Sequence, residues 1–90
     1  MNNTVTVKMK VITVDGKCLS KHIKLQYLPR HGERIRDFHV DLEETIEVAV
    51  TTVIHSVHCI VLNVRPMSYE NDEDRSEHYL KHGWRMEAIK

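Results

Sequence analysis

The chain has 90 residues, with 13 basic and 13 acidic side chains and seven histidines, so its formal net charge at pH 7 is zero. This length allows one small domain and is too short for a two-lobed enzyme, and neutrality argues against a non-specific polyanion binder. No apolar run approaches the roughly 18 residues of a membrane helix. The N-terminus lacks a secretory signal, and two cysteines are too few for a disulfide scaffold, which predicts a cytoplasmic protein.

Charge is sorted along the chain. Residues 1–36 carry eight basic and two acidic side chains, a net charge of +6, whereas residues 37–74 carry nine acidic side chains and one arginine, a net charge of −8. The remaining residues restore the balance with +2. This order predicts either that basic and acidic strands lie side by side or that the surface is dipolar.

Alternating apolar residues predict a β-hairpin over the first part of the chain. Apolar side chains occupy alternate positions from residue 5 to residue 11, and positions 19, 23, 25 and 27 continue the pattern after Asp15-Gly16. This period of two is typical of half-buried strands. A three-residue loop, Asp15-Gly16-Lys17, gathers the apolar residues on one face because it pairs Met9 with Ile23, Val7 with Leu25 and Val5 with Tyr27.

The opposite face of this hairpin is basic. In the same register Lys10 lies opposite His22 and Lys8 lies opposite Lys24. Like charges placed directly opposite each other destabilise a sheet slightly. We therefore expect this basic row either to face water or to meet an acidic surface.

A turn and a short strand are predicted next. Pro29 and Gly32 supply the turn, and the strand runs from about residue 34 to Val40. Its apolar residues do not alternate strictly, which predicts a bulge or a bend near Asp37.

Residues 46–64 form the most apolar stretch and predict a second hairpin. With Ser56-Val57-His58 as the loop, Ile54 pairs with Ile60 and Val50 pairs with Val64. In this register Val53 lies against Val61 on the other face, so both faces of these strands are expected to be buried near their middle.

The last part of the chain is predicted to hold an acidic loop, a short helix and a final strand or tail. Asp74 is the predicted N-cap, Glu77 follows at capping-box distance, and Gly83 ends the helix. Trp84, the single tryptophan, either anchors the C-terminal segment in the core or serves as an interface hot spot.

Together these elements predict a mainly β fold, a small antiparallel β-barrel or curled sheet of five to six strands with one short C-terminal helix. The chain is expected to be a single domain over residues 1–90. Residues 4–66 form its β core, and residues 67–90 hold the acidic loop, the helix and the C-terminal strand or tail.

Two groups of residues have a spacing that suits metal ligands. His55, His58 and Cys59 flank the second turn, with His55 directly opposite Cys59 in the predicted register, and His78 and His82 lie one helical turn apart. No Cys-x-x-Cys or His-Glu-x-x-His pattern supplies a fourth ligand. We therefore expect exposed histidines and no cofactor, with a zinc-stapled module as the less favoured hypothesis.

Catalytic groups are not expected. Cys59 and His58 are adjacent on a strand and point to opposite faces, which places the imidazole badly for taking the thiol proton. The three glycines stand at separate turns and do not form a phosphate-binding loop. The sequence therefore predicts a protein that is not an enzyme.

Basic residues of the first hairpin and of the following turn predict a patch that could bind nucleic acid. Small barrels combine such a patch with aromatic platforms for bases. Aromatic residues are few here, and Tyr27 falls on the apolar face of the predicted hairpin. The patch consists of Lys8, Lys10, His22, Lys24, Arg30, Arg34 and Arg36.

Two short segments carry a recognisable pattern. Leu28–Ile35 contains a Pro-x-x-Gly-Glu turn that leads into a strand, and Val50–His55 ends in Val-Ile-His. This pair of motifs resembles small uncharacterised bacterial and phage proteins, over roughly residues 20–65. The resemblance implies a compact β-barrel of phage or prophage origin, and it carries over no catalytic residue.

The sequence as a whole favours a non-enzymatic module that binds a protein, because the exposed edges of a short sheet can accept a partner strand. An accessory or inhibitory protein of a phage is the setting that the resemblance implies. Nucleic-acid binding through the basic patch is the alternative. No membrane contact is expected, and self-association through a sheet edge is compatible with each hypothesis.

Overall fold

The computed structural model describes residues 4–39, 44–67 and 76–87. Stretches of alternating polarity form strands, and the segment before Gly83 forms the helix. The elements are β1 (Val5–Ile12), β2 (Cys18–Leu25), β3 (Arg34–His39), β4 (Glu44–His55), β5 (Ile60–Pro66), α1 (Ser76–Lys81) and β6 (Arg85–Met86).

The six strands form one sheet in the order β3-β4-β5-β1-β2-β6. Neighbouring strands are antiparallel except for β1 and β5, which run parallel. The sheet curls into a half-barrel with one short helix, which confirms the predicted fold class, although the sheet is mixed. Within the described residues, no helix is long and apolar enough to cross a bilayer.

The inward face of the curled sheet holds the core. Alternate side chains of each strand point to this face, where withdrawal of apolar surface from water stabilises the fold by roughly 25 cal/mol per Å². The rings of Tyr79 and Trp84 close the core and meet edge to face, with centroids 5.2 Å apart. The buried cluster comprises Val7, Met9, Val11, Leu19, Ile35, Ile46, Val48, Val50, Leu62, Val64, Tyr79 and Trp84.

The predicted register of the first hairpin is wrong by two residues. Met9 lies opposite Lys21 and not opposite Ile23. The loop still has three residues, but it is Val14-Asp15-Gly16, because the main chain of residues 13 and 17 pairs as well. A shift of two residues leaves every side chain on its predicted face, so alternation alone could not reveal the error.

The second hairpin contains a bulge that the sequence prediction missed. Val50 lies opposite Val64 as predicted, but Ile54 lies opposite Val61 and not opposite Ile60. The register shifts between Val50 and Thr52, and the main chain of Ser56 pairs with that of Cys59, so a two-residue loop, Val57-His58, replaces the predicted three-residue loop. Ile54 consequently lies on the outer face with 42 % of its surface exposed, so these strands are not buried on both faces.

β3 has no bulge, in contrast to the prediction. Its pairing with β4 runs without interruption from Arg34 to His39. Asp37 occupies an inward position in which only 8 % of the residue is exposed. The break in apolar alternation at this point therefore marks a buried acidic side chain in a regular strand.

α1 is fastened to the first hairpin through Asp15. The Asp15 carboxylate accepts hydrogen bonds from the hydroxyl of Ser76 at 2.6 Å, from the Ser76 main-chain N–H at 2.9 Å and from the hydroxyl of Thr13. These bonds, that of the Ser76 hydroxyl foremost, hold the pKa of Asp15 well below its usual range. The predicted N-cap, Asp74, lies outside the described residues, whereas Gly83 follows the helix with φ at 87°, a conformation that suits glycine.

We expect Asp15→Asn to lower the free energy of unfolding by about 1 kcal/mol at neutral pH, because the amide nitrogen cannot accept the bond from the Ser76 hydroxyl and one lost hydrogen bond typically costs about that much. Folding depresses the pKa of Asp15, so its contribution is complete above the unfolded-state pKa of about 3.9 and decreases as the pH falls below that value. The stability difference between wild type and Asp15→Asn should therefore shrink on acidification.

Urea denaturation near pH 7 and near pH 3 measures this difference. Glu77→Gln is the matched control, because Glu77 is an acidic residue in the first turn of α1 that is exposed. A stability difference that grew on acidification would contradict the assignment.

Candidate functional site

The half-barrel leaves a gap between two of its strands, which we call the seam. In the described part of the chain, β3 pairs only with β4, and β2 pairs only with β1 beyond the two residues that meet β6. The open stretches are residues 21–25 of β2 and residues 34–37 of β3. Side chains join the two stretches at Lys21 and Asp37, and a cleft of about 220 Å³ opens at the other end, between Leu25 and Tyr27 on one side and Ile35 and its neighbours on the other.

Side chains, and not main-chain pairing, join the two edges at one end of the seam. The Lys21 ammonium donates to Asp37 Oδ2 at 2.7 Å and to the His82 carbonyl at 2.9 Å. The indole N–H of Trp84 donates to the same Asp37 oxygen at 3.3 Å. We call Lys21, Asp37, Trp84 and the His82 carbonyl the clasp. Because a lysine side chain is long, the clasp holds the strands facing each other without bringing their main chains together.

The open main-chain groups of β2 belong to its even-numbered residues. Along an antiparallel ladder, successive residues turn their N–H and C=O groups alternately towards and away from the neighbouring strand. The Thr13 N–H donates to the Lys17 carbonyl, so the odd-numbered residues of β2 face β1. The Cys18 carbonyl faces the other way and accepts from Glu87. His22 and Lys24 therefore turn their main-chain groups towards the seam.

The open main-chain groups of β3 also belong to its even-numbered residues. The Val50 N–H donates to the Glu33 carbonyl, so the odd-numbered residues of β3 face β4. Arg34 and Arg36 then turn their main-chain groups away from β4 and towards the seam.

All four residues with open main-chain groups are basic, and their side chains lie on the outer face of the sheet. Those of Arg34 and Arg36 are 65 % and 76 % exposed, and His22 and Lys24 are exposed as well. Both arginines share one acidic partner, Glu47, at 3.5 and 3.2 Å. Two guanidinium charges against one carboxylate leave the β3 side of the seam positive.

The structure distributes the predicted basic patch over both sides of the seam. Lys8 lies opposite His22, and Lys10 lies opposite Ser20, which corrects the predicted pairs Lys10–His22 and Lys8–Lys24. Lys24 lies opposite Thr6, and Arg30 is exposed in the loop between β2 and β3. The seven residues thus fall into two groups, one on β1–β2 and one on β3 with its preceding loop.

Lys8 already binds a carboxylate of the chain itself. Its ammonium forms an ion pair with Glu87, which follows β6 and lies beside β2. The hydrogen bond from Lys8, a second from Ser20 and the charges of Lys8 and Lys10 lower the pKa of Glu87. A cleft of about 540 Å³ opens here, between the last residues of β6 and His22.

The predicted metal ligands do not converge. His55 lies opposite Ile60 and not opposite Cys59, because Cys59 lies opposite Ser56. The rings of His78 and His82 do lie close together, with centroids 4.5 Å apart. Across residues 4–39, 44–67 and 76–87, no group of three or more potential ligands is positioned to share an ion.

The two aromatic residues singled out by the sequence are placed differently from each other. Trp84 is 2 % exposed and anchors the C-terminal segment in the core, which leaves little of its ring for a partner. Tyr27 follows β2 and is 66 % exposed, so its predicted position on the apolar face is wrong.

Sequence reasoning missed the clasp. Its signal was present in both strands, since Lys21 interrupts the apolar positions of β2 and Asp37 interrupts those of β3. A charged residue at an inward position needs a partner of opposite charge. Period-two patterns identify such positions, but they do not say which two of them meet.

No protein-family model, curated protein or solved structure matches the chain.

The open edges predict an alternating pattern of amide hydrogen exchange. The amides of His22, Lys24 and Arg36 should exchange roughly tenfold faster or more than those of Ile23 and Ile35, because the latter donate within the sheet. Exchange followed by NMR measures each amide, and the odd-numbered neighbours are controls on the same strands. Equal protection of odd and even residues would mean that the seam is closed.

Proposed function

We propose that this protein is a non-enzymatic protein-binding module that receives an extended segment of its partner along the seam. The observation that carries this proposal is the set of open main-chain groups of His22, Lys24, Arg34 and Arg36, on two strands that face each other across a gap. Strand addition uses such groups for affinity and the adjoining side chains for specificity.

The charges on both edges favour the binding of a different chain and disfavour self-association. Exposed edge strands aggregate unless charged residues protect them, and like charges disfavour the pairing of two identical edges. The basic side chains of the seam therefore repel a second copy of the same edge. They leave the main chain accessible to a partner of different charge.

The setting that we propose is an accessory or inhibitory protein of a phage or prophage that acts in the cytoplasm. The turn and strand motifs of residues 20–65 support this setting through their resemblance to small phage proteins. Strand addition suits such a role, because a chain of 90 residues can bind a larger protein through main-chain groups alone.

Nucleic-acid binding is a second candidate function, and the surroundings of Tyr27 support it. The exposed tyrosine lines a cleft of about 570 Å³ together with Arg30, His31 and Glu33, in which a base could stack beside two basic side chains and one carboxylate. One exposed ring makes a short platform, and strand addition accounts for more of the open surface.

Proline at position 24 tests the proposed function. The Lys24 N–H points towards the seam, so Lys24→Pro removes one open donor and leaves the β1–β2 ladder intact. Lys24→Ala is the matched control, because it removes the charge and keeps the N–H. Peptides selected by the wild type from an mRNA-displayed random library should bind Lys24→Pro roughly tenfold more weakly than Lys24→Ala.

The pair Arg36→Pro and Arg36→Ala repeats the test on β3, and urea denaturation shows whether each variant is folded. NMR shifts of the bound complexes should concentrate on residues 21–25 and 34–37. Selected peptides that bind both proline variants as tightly as the alanine variants, or a selection that yields no binder, would overturn the proposal.

A further inference from the structure

We infer that the partner segment alternates acidic and apolar residues, with the acidic side chains on the outer face of the sheet. This inference rests on the proposed function, because it concerns the chemistry of the strand that enters the seam. It follows from the residues that surround that strand on each face.

The outer face of the seam selects for acidic side chains. Residues directly opposite each other on neighbouring strands have their side chains on the same face. A residue opposite Lys24 or Arg36 therefore lies beside a cation. In the described part of the chain, His22 and Lys24 form no ion pair, and Arg34 and Arg36 share the single carboxylate of Glu47. Acidic residues at alternate positions would complete these pairs.

The inward face selects for apolar side chains. Ile23 and Leu25 are partly buried and pack against the core from β2, and Ile35 is 6 % exposed on β3. An incoming strand turns every second side chain towards these three residues. Polar groups placed there would lose hydration without gaining hydrogen-bond partners, which disfavours them.

Glu87 shows within the molecule how a strand beside β2 presents a carboxylate. Its N–H donates to the Cys18 carbonyl on the open side of β2, and its side chain reaches over β2 to Lys8 on the outer face. The partner strand would occupy the same side of β2, farther along towards Leu25. Its acidic side chains would meet Lys24 and His22 as Glu87 meets Lys8.

A second copy of this chain or a nucleic acid fits this surface less well. A copy that used the same edges would place cations opposite cations. A nucleic acid would satisfy the charges, but its backbone offers no regular row of amide donors to the open carbonyls. An acidic, extended protein segment satisfies the charges and the main chain together.

Synthetic octapeptides of simple alternating sequence test the inference. The probes alternate valine with glutamate, with glutamine or with lysine, each with blocked ends and a fluorophore. Anisotropy titrations at about 50 mM salt should show the glutamate peptide binding roughly tenfold more tightly than the glutamine peptide, and the lysine peptide not binding. Raising the salt to about 0.5 M should reduce the preference for glutamate.

A charge-reversed variant distinguishes a loss of charge recognition from a loss of folding, because only a folded variant can gain a new preference. Lys24→Glu combined with Arg36→Glu should bind the glutamate peptide roughly tenfold more weakly and should gain binding of the lysine peptide. Lys17→Glu combined with Lys81→Glu is the matched control, because both lysines are exposed and neither belongs to β2 or β3. The control should keep the wild-type preference.

The outcomes distinguish the two proposals. Equal binding of the glutamate and glutamine peptides, with amide shifts along β2 and β3, would overturn the acidic partner and leave strand addition intact. No shift in either strand with any peptide would overturn the proposed function as well. Amide shifts at the seam that only an oligothymidine causes would overturn the inference in favour of a nucleic acid. A dimer seen by native mass spectrometry that binds none of the three peptides would overturn it in favour of a second copy.

Discussion

The ion pair between Lys21 and Asp37 joins the two edges of the curled sheet across the seam. Both residues occupy inward positions, and their side chains are only 23 % and 10 % exposed, so each charge depends on the other for compensation. The Trp84 indole and the His82 carbonyl complete the bonding. A side-chain bridge of this length draws the two edges towards each other and stops short of main-chain pairing. The seam therefore stays open between the main chains of β2 and β3.

The C-terminal segment depends on the same constraint. Tyr79 and Trp84 fill the open side of the core, and the clasp binds Trp84 to β3 while Asp15 binds the start of α1 to the first hairpin. The helix and tail therefore close the interior where strands do not. The edges themselves stay accessible, and the residues that expose their main-chain groups there are basic. Interior closure and an open edge are thus separate features of one fold, which is what a strand-binding surface requires.

Sequence alternation was sufficient for the fold class and for the two faces of most strands, because side-chain direction repeats every two residues. It could not decide register: a shift of two residues moved Met9 from Ile23 to Lys21 with no change of face. The bulge near Thr51 could not be predicted either. Residues 50–54 are all apolar or β-branched, so either set of alternate side chains could face the core. The basic residues of the seam were identified, but their division between two edges depends on the parallel pairing of β1 with β5. The clasp joins residues 16 apart, a separation that no local period reports.

A double-mutant cycle on Lys21 and Asp37 tests whether this ion pair holds the two edges of the seam. Lys21→Met and Asp37→Asn, alone and combined, would be compared with the wild type by urea denaturation. We expect a coupling energy of about 1–2 kcal/mol, because each single change leaves a partly buried charge without its counter-charge. Both single variants should also show altered amide shifts in β2 and β3. Free energies that add to within about 0.4 kcal/mol would contradict the claim that this ion pair holds the two edges of the seam.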